Sequence, residues 1–147
     1  AAAGSYTLSL PGALPIWQVG PKRGSVDPGR GTAYLARVVG GKKAREIWYL
    51  CKKYSAEEAL SMGLINAVVA DGQLDQEVQS WCDEINQRSP TAIALAKKSF
   101  NADTESIRGM GGLAMQALRL YYLTEESQEG VNALNEKRTP DFMKYYK

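Results

Sequence analysis

The chain has 147 residues, 44% of them hydrophobic, and its 18 Lys and Arg against 16 Asp and Glu leave a formal net charge of +2. A chain of this length buries roughly two-thirds of its unfolded surface, so an ordinary core needs no staples. The even charge balance gives no case for a nucleic-acid footprint or a polybasic membrane anchor. No His occurs, which excludes within this chain a Ser-His-Asp triad, His-based acid–base chemistry and the common His-containing zinc sites.

The chain opens Ala1-Ala2-Ala3-Gly4 without an initiator Met. Tyr6-Thr7-Leu8-Ser9-Leu10 and Ala13-Leu14-Pro15-Ile16 show no helical period and only weak strand alternation. They resemble one reading frame of a common sequencing-adaptor oligonucleotide, departing from it at Pro11 and Gly12. A β-strand and turn is the alternative. Residues 1–16 are expected to be a non-native segment outside the fold, as processing and cloning scars are.

From Trp17 to Gly31 the chain is punctuated by Gly20, Pro21, Gly24, Pro28, Gly29 and Gly31, which forbids a regular helix or central strand and predicts a structured loop. Helical periods follow. Ala44, Ile47, Trp48 and Cys51 form an i, i+3, i+4, i+7 stripe between lysine pairs. Ser55-Ala56-Glu57-Glu58 reads as a capping box, with Gly63 closing that short helix. Ile65–Val69 is the one convincing strand. Leu74, Val78, Trp81 and Ile85 mark the next helix, and Ser89-Pro90 opens another as N-cap and first-turn proline. Ile107, Met110, Ala114, Ala117, Leu118 and Tyr121 make a long stripe weakened by Gly109, Gly111 and Gly112. Thr124-Glu125-Glu126 restarts a helix carrying Val131 and Leu134, which Pro140 is expected to end. Cys51 and Cys82 lie in helical patterns, which argues against a disulfide-built secreted scaffold. No apolar run is long enough to span a bilayer and no charged-then-apolar leader is visible, so the expected compartment is cytoplasmic. Several short helices with so little strand look like the last part of a larger α/β fold.

Candidate chemistry begins in the loop. Ser25 and Asp27, two residues apart on a bent segment, can aim a hydroxyl and a carboxylate into one cleft, the carboxylate to move protons or activate water. Ordinary turn chemistry accounts for the same residues. As a phosphate loop the segment fails, because Gly-Lys-Ser/Thr is absent. Tyr122 follows Tyr121, which extends the apolar stripe, and its phenol can serve an oxyanion or simply lie at a surface. Glu125, Glu126 and Glu129 read as acids matched to a helix N-terminus. Lys137 and Arg138 sit near a helix end, with an anionic phosphate as the sharper reading. Met62, Met110 and Met115 read as core. No metal site is expected.

Several segments together resemble the crotonase (enoyl-CoA hydratase/isomerase) superfamily, in its C-terminal half: Gln18-Val19-Gly20-Pro21-Lys22, Gly24-Ser25-Val26-Asp27-Pro28-Gly29, Tyr34–Gly40, Lys42–Tyr49, Met62-Gly63-Leu64, Ser89-Pro90-Thr91-Ala92 and Glu136-Lys137-Arg138. The resemblance implies a truncated α/β crotonase-like fold, here mostly α-helical with one or two short strands. It divides residues 17–147 into an active-site loop (18–31), a helical region (32–105) and C-terminal oligomerisation helices (106–147). It further implies an enzyme of acyl-CoA thioesters, with no cofactor beyond the coenzyme A of the substrate itself, working as a homo-trimer or homo-hexamer without nucleic-acid or membrane partners. The local text is more like the branch of ring-opening 2-ketocyclohexanecarboxyl-CoA hydrolases, which serve anaerobic benzoate degradation. The alternatives are the branch of ring-closing 1,4-dihydroxy-2-naphthoyl-CoA synthases of menaquinone biosynthesis, which usually has Phe where this chain has Val26, and another enoyl-CoA hydratase/isomerase. By resemblance Ser25, Asp27 and Tyr122 are catalytic, the phenol being supplied across a subunit boundary, while Gln18, Gly20 and Lys137 contact substrate or CoA. Arg30 departs from the aromatic residue usual in this loop. The family's oxyanion-hole amides lie upstream of Trp17, so the chain alone is expected to be inactive and to expose Ile47, Trp48, Trp81 and Leu118. A helical oligomerisation module and a pseudoenzyme are the non-enzyme alternatives.

Overall fold

A computed structural model describes residues 8–9, 15–27, 29 and 31–146. Pro28, Arg30 and most of the segment expected to be foreign lie outside the described residues. The α-helices are α1 (Gly31–Val39), α2 (Gly41–Leu50), α3 (Ala56–Ser61), α4 (Leu74–Asn86), α5 (Pro90–Ala102), α6 (Met110–Tyr121) and α7 (Glu125–Asn135). Two short strands, β1 (Leu8–Ser9) and β2 (Ala67–Val68), pair in parallel with Leu8 opposite Ala67 and Ser9 opposite Val68. Among the described residues no helix is long and apolar enough to cross a membrane.

The chain packs as two units that do not follow its linear order. One comprises Tyr54–Ser106 with the described residues up to Ile16; the other comprises Trp17–Lys53 and Ile107–Lys147. In the first unit, Ile16 and Tyr54 exchange backbone hydrogen bonds of 2.9 Å each. Ile16 also packs on the small core of Ala56, Ala59 and Ile65, beside Leu64 and Val68. α3 starts where the capping box predicts: Glu58 N donates to Ser55 Oγ at 3.1 Å and Ser55 N to Glu58 Oε2 at 2.7 Å, satisfying two donors that a helix start leaves unpaired. Ser89 caps α5 in the same way, accepting from Ala92 N at 3.3 Å.

The second unit carries the candidate chemistry. α1 packs on α2, the two joined at Gly40. Ile47 and Trp48 are therefore 3% and 8% exposed, correcting the expectation that they face solvent; Trp81, in the first unit, and Leu118 are half-buried. The long stripe around Met110 is broken rather than continuous: a 3-10 turn spans Glu105–Ile107 and α6 begins only at Met110, after Gly109. α7 is capped by Thr124, whose Oγ1 accepts from Ser127 N at 3.3 Å. It ends at Asn135, well before Pro140, because Lys137 adopts left-handed backbone (φ 56°) and turns the chain. Cys51 (buried) and Cys82 (exposed) are both free thiols.

Candidate active site

The loop before α1 is a tight closed turn. Pro21–Arg23 form one 3-10 turn, and Gly20 O accepts from Arg23 N (3.0 Å) and Ser25 N (2.9 Å), which bends the chain just before Ser25. The next residue, Gly24, has φ 66°, a left-handed conformation that glycine adopts without strain. A Cβ at Gly24 would lie 2.9 Å from Ser127 O, and a Cβ at Gly130 would lie 2.1 Å from Arg23 O and 2.7 Å from Gly24 N. Two glycines thus let the loop backbone rest directly on α7. Nothing in the local pattern signals this contact; its one trace is a glycine inside a helix, where it costs about 1 kcal/mol relative to Ala.

Ser25 Oγ and Tyr122 Oη are 2.9 Å apart. Ser25 is half-buried and Tyr122, at the C-terminal end of α6, is 47% exposed, so the pair opens to solvent. The resemblance supplies this phenol across a subunit boundary; here loop and phenol meet within one chain, in one packed unit. The Asp27 carboxylate faces inward to its own backbone. Its Oδ1 accepts from Gly29 N (3.0 Å) and Gly31 N (3.2 Å), and its Oδ2 from Thr32 N (2.7 Å) and Thr32 Oγ1 (2.8 Å). Asp27 therefore closes the loop and satisfies first-turn amides of α1. Burial alone would raise its pKa, but the Thr32 amide and hydroxyl, then the Gly29 and Gly31 amides, outweigh it and hold the carboxyl below its usual range.

Ser25 and Asp27 line a cavity of about 700 Å³ together with Thr32, Trp48, Tyr121 and Glu126, and the segment beyond α7 adds three aromatic residues to the lining: Phe142, Tyr145 and Tyr146. Tyr121 donates to Glu126 Oε1 at 3.3 Å. Burial, then the Glu126 charge and that hydrogen bond, push the Tyr121 phenol up to about 12, so it stays protonated. Sequence reasoning assigned Tyr121 to the core and Glu126 to the helix dipole; both line the cavity. Gln18 is exposed and does not line it. Lys137 lines a separate cavity of about 280 Å³ with Lys22, Arg23 and Arg138, a cluster of cations suited to an anionic group.

Glu129, also read as a dipole-matching acid, is 5% exposed and serves the segment beyond α7 instead. It accepts two hydrogen bonds from the Arg138 guanidinium, one from Asp141 N (2.8 Å) and one from Lys144 Nζ (3.2 Å). Those of Arg138 and Asp141 dominate over the opposing effect of burial and hold its pKa at about 2 rather than 4.5. A depressed carboxyl stabilises the fold above its unfolded value. The clamp should therefore be complete above about pH 4.5 and be lost as pH falls toward 2. An NMR titration of the Asp141 amide should show this transition, and Glu129→Gln should abolish it. An Asp141 signal that stays unchanged to pH 2 would contradict the assignment.

The fold of the chain matches solved crotonase-like structures. The profile of the enoyl-CoA hydratase/isomerase family matches residues 13–145, and the chain belongs to that family. The match begins four residues before Trp17, inside the segment expected to be foreign. The enoyl-CoA hydratase/isomerase of Pseudoalteromonas atlantica superposes with a TM-score of 0.85 at 21% identity, covering 94% of this chain and 56% of the other. A carnitinyl-CoA hydratase from Mycobacterium avium gives 0.74 at 25% identity, covering 83% and 48%. A methylmalonyl-CoA decarboxylase in complex with 2-nitronate-propionyl-CoA gives 0.73 at 25% identity, covering 92% and 53%. The chain spans about half the length of the solved structures it matches.

Proposed function

We propose that the chain is the C-terminal part of an acyl-CoA enzyme that opens a ring by hydrolysis, with 2-ketocyclohexanecarboxyl-CoA as substrate and pimeloyl-CoA as product, a step of anaerobic benzoate degradation. The single observation that carries the reading is the 2.9 Å hydrogen bond between Tyr122, which does not itself line the cavity, and Ser25, which lines it with Asp27. Water adds to the ring ketone, with Asp27 helping to activate it and Ser25 orienting the reacting oxygens. The bond between the former ketone carbon and the carbon next to the thioester then breaks. The ketone carbon leaves as a carboxylate and the bonding pair becomes the thioester enolate. Protonation of that enolate carbon, with Tyr122 as donor or hydrogen-bond partner, releases an open seven-carbon chain bearing a carboxylate and a thioester. Stabilising the enolate is usually the largest single contribution.

In this reading the oxyanion-hole amides and most of the CoA surface belong to the part of the enzyme upstream of Trp17, and the chain alone is inactive. Lys137, among Lys22, Arg23 and Arg138, meets a phosphate of CoA, and Gln18 and Gly20 lie along the acyl-CoA path. Coenzyme A is the carrier of the substrate and no further cofactor takes part. The active assembly is a homo-trimer or homo-hexamer in the cytoplasm.

The test is an assay of the full-length enzyme on 2-ketocyclohexanecarboxyl-CoA and on the acyl-CoA of the ring-closing branch. Release of pimeloyl-CoA supports the reading, and turnover of the other thioester alone overturns it. Ser25→Ala and Tyr122→Phe should each slow ring opening, on the order of a hundredfold or more if the pair serves proton transfer.

A further inference from the structure

The cavity that Ser25 lines takes part of its lining from the segment beyond α7. After α7 the chain makes one 3-10 turn, Met143–Tyr145, whose Met143 and following Tyr146 are 75% and 79% exposed. Its local hydrogen bonds are all short-range: Met143 N donates to Asp141 Oδ1 at 3.2 Å, Tyr145 N to Phe142 O at 3.1 Å and Tyr146 N to Met143 O at 3.2 Å. Yet Phe142, Tyr145 and Tyr146 line the 700 Å³ cavity beside Asp27 and Trp48.

What binds this segment is Glu129. Its carboxylate reaches past its own helix, which Thr124 already caps, to Arg138, to the Asp141 amide and to Lys144. Lys144 in turn lies 5.1 Å from the centre of the Tyr145 ring, over its face, so the carboxylate steers an aromatic side chain through the ammonium that it holds. Charge-assisted hydrogen bonds from a bidentate guanidinium fix direction as well as distance. The neighbouring Gly130 bears on Arg23 and Gly24, so one turn of α7 secures both the loop of Ser25 and the aromatic tail.

We infer that Glu129 is a positioning residue for acyl-group recognition: by clamping Arg138, Asp141 and Lys144 it sets Phe142, Tyr145 and Tyr146 as an aromatic wall that receives an apolar ring. A site's contact residues keep their geometry only where a supporting set of interactions locks them. The inference rests on the acyl-CoA reading above for its ligand, but not for the clamp itself.

The experiment has two arms. In the unliganded full-length enzyme, amide hydrogen exchange of Glu129→Gln should speed up by about tenfold or more at Asp141 and Met143, while α1 and α2 keep their protection. In the full-length enzyme, the same substitution should raise KM for 2-ketocyclohexanecarboxyl-CoA by about tenfold with kcat within about twofold, the pattern of lost binding rather than lost chemistry. Glu129→Asp, which keeps the charge but shortens the reach, should fall between the two.

Unchanged exchange in the tail overturns the clamp. A loosened tail with unchanged KM overturns its role in recognition, and an equal fall in kcat and kcat/KM makes Glu129 part of the chemistry instead. If exchange also rises in α1 and α2, the fold itself has failed, and Lys144→Met becomes the deciding variant. It removes one arm of the clamp from a half-exposed position and should loosen the tail and raise KM without touching α1 and α2; failure to do so sinks the proposal. An enzyme inactive on this thioester defeats the substrate reading, while the exchange arm still decides the clamp.

Discussion

Gly130→Ala is expected to destabilise the domain and to remove most of the activity of the full-length enzyme, although alanine is the better helix former. A methyl at this position would lie 2.1 Å from Arg23 O, 2.3 Å from Arg23 C and 2.7 Å from Gly24 N, all backbone atoms that cannot rotate aside. Helix propensity favours the substitution by about 1 kcal/mol. Overpacking against a fixed neighbour costs about 1–3 kcal/mol and sometimes more, so the net effect is a loss. The loop escapes by moving off α7, and Ser25 moves with it, away from Tyr122. Misplacing a reacting group by about 1 Å can cost on the order of a hundredfold in rate. Thermal unfolding together with kcat/KM checks both effects. Gly111→Ala is the control, since a Cβ there meets nothing within 4 Å. Parental rates in Gly130→Ala would show that the loop does not depend on this contact.

The contrast between these two glycines marks where sequence reasoning reaches its limit. Ser55 with Glu58, Ser89 with Pro90 and the stripe of Ala44, Ile47 and Trp48 were legible because their partners lie within one or two helical turns, where spacing alone fixes who meets whom. The contacts that shape the site are not of that kind. Gly130 meets a turn more than a hundred residues earlier, and Glu129 meets Arg138, Asp141 and Lys144 beyond the end of its own helix. An acid in the early part of a helix looks the same in sequence whether it answers the dipole or a distant guanidinium. Proline cannot continue a helix, which makes Pro140 the expected stop, but the left-handed Lys137 turns the chain first. Ser25 and Tyr122 could be paired only through family resemblance, since no period links positions so far apart.

Asp27 carries both readings that its residue type permits, turn chemistry and proton chemistry, and its hydrogen bonds say how to separate them. Four donors among the described residues converge on its two oxygens, which leaves the carboxylate ionised and a weak base in this arrangement. To accept a proton it must give up one partner. The Thr32 hydroxyl is the one that can leave, because a hydroxyl turns about its own bond whereas an amide is fixed by the helix. Asp27→Asn puts an NH2 where one oxygen stood. Oγ1 of Thr32 can reverse and accept from it, but the part-buried Thr32 N then loses its acceptor, at a cost below the roughly 1–3 kcal/mol of a fully buried donor left unpaired. If the carboxylate also handles protons, Asp27→Asn should lower kcat for ring opening by about a hundred- to ten-thousand-fold, with a smaller change in acyl-CoA binding. Thr32→Val is the discriminating partner. It keeps the carboxylate and removes one of the hydrogen bonds that lower its pKa, so it should retain most of the rate while moving the acidic limb of the pH–rate profile upward. Should Asp27→Asn keep near-parental turnover and lose only thermal stability, Asp27 is a cap for α1 and the proton must be moved by another group in the cavity.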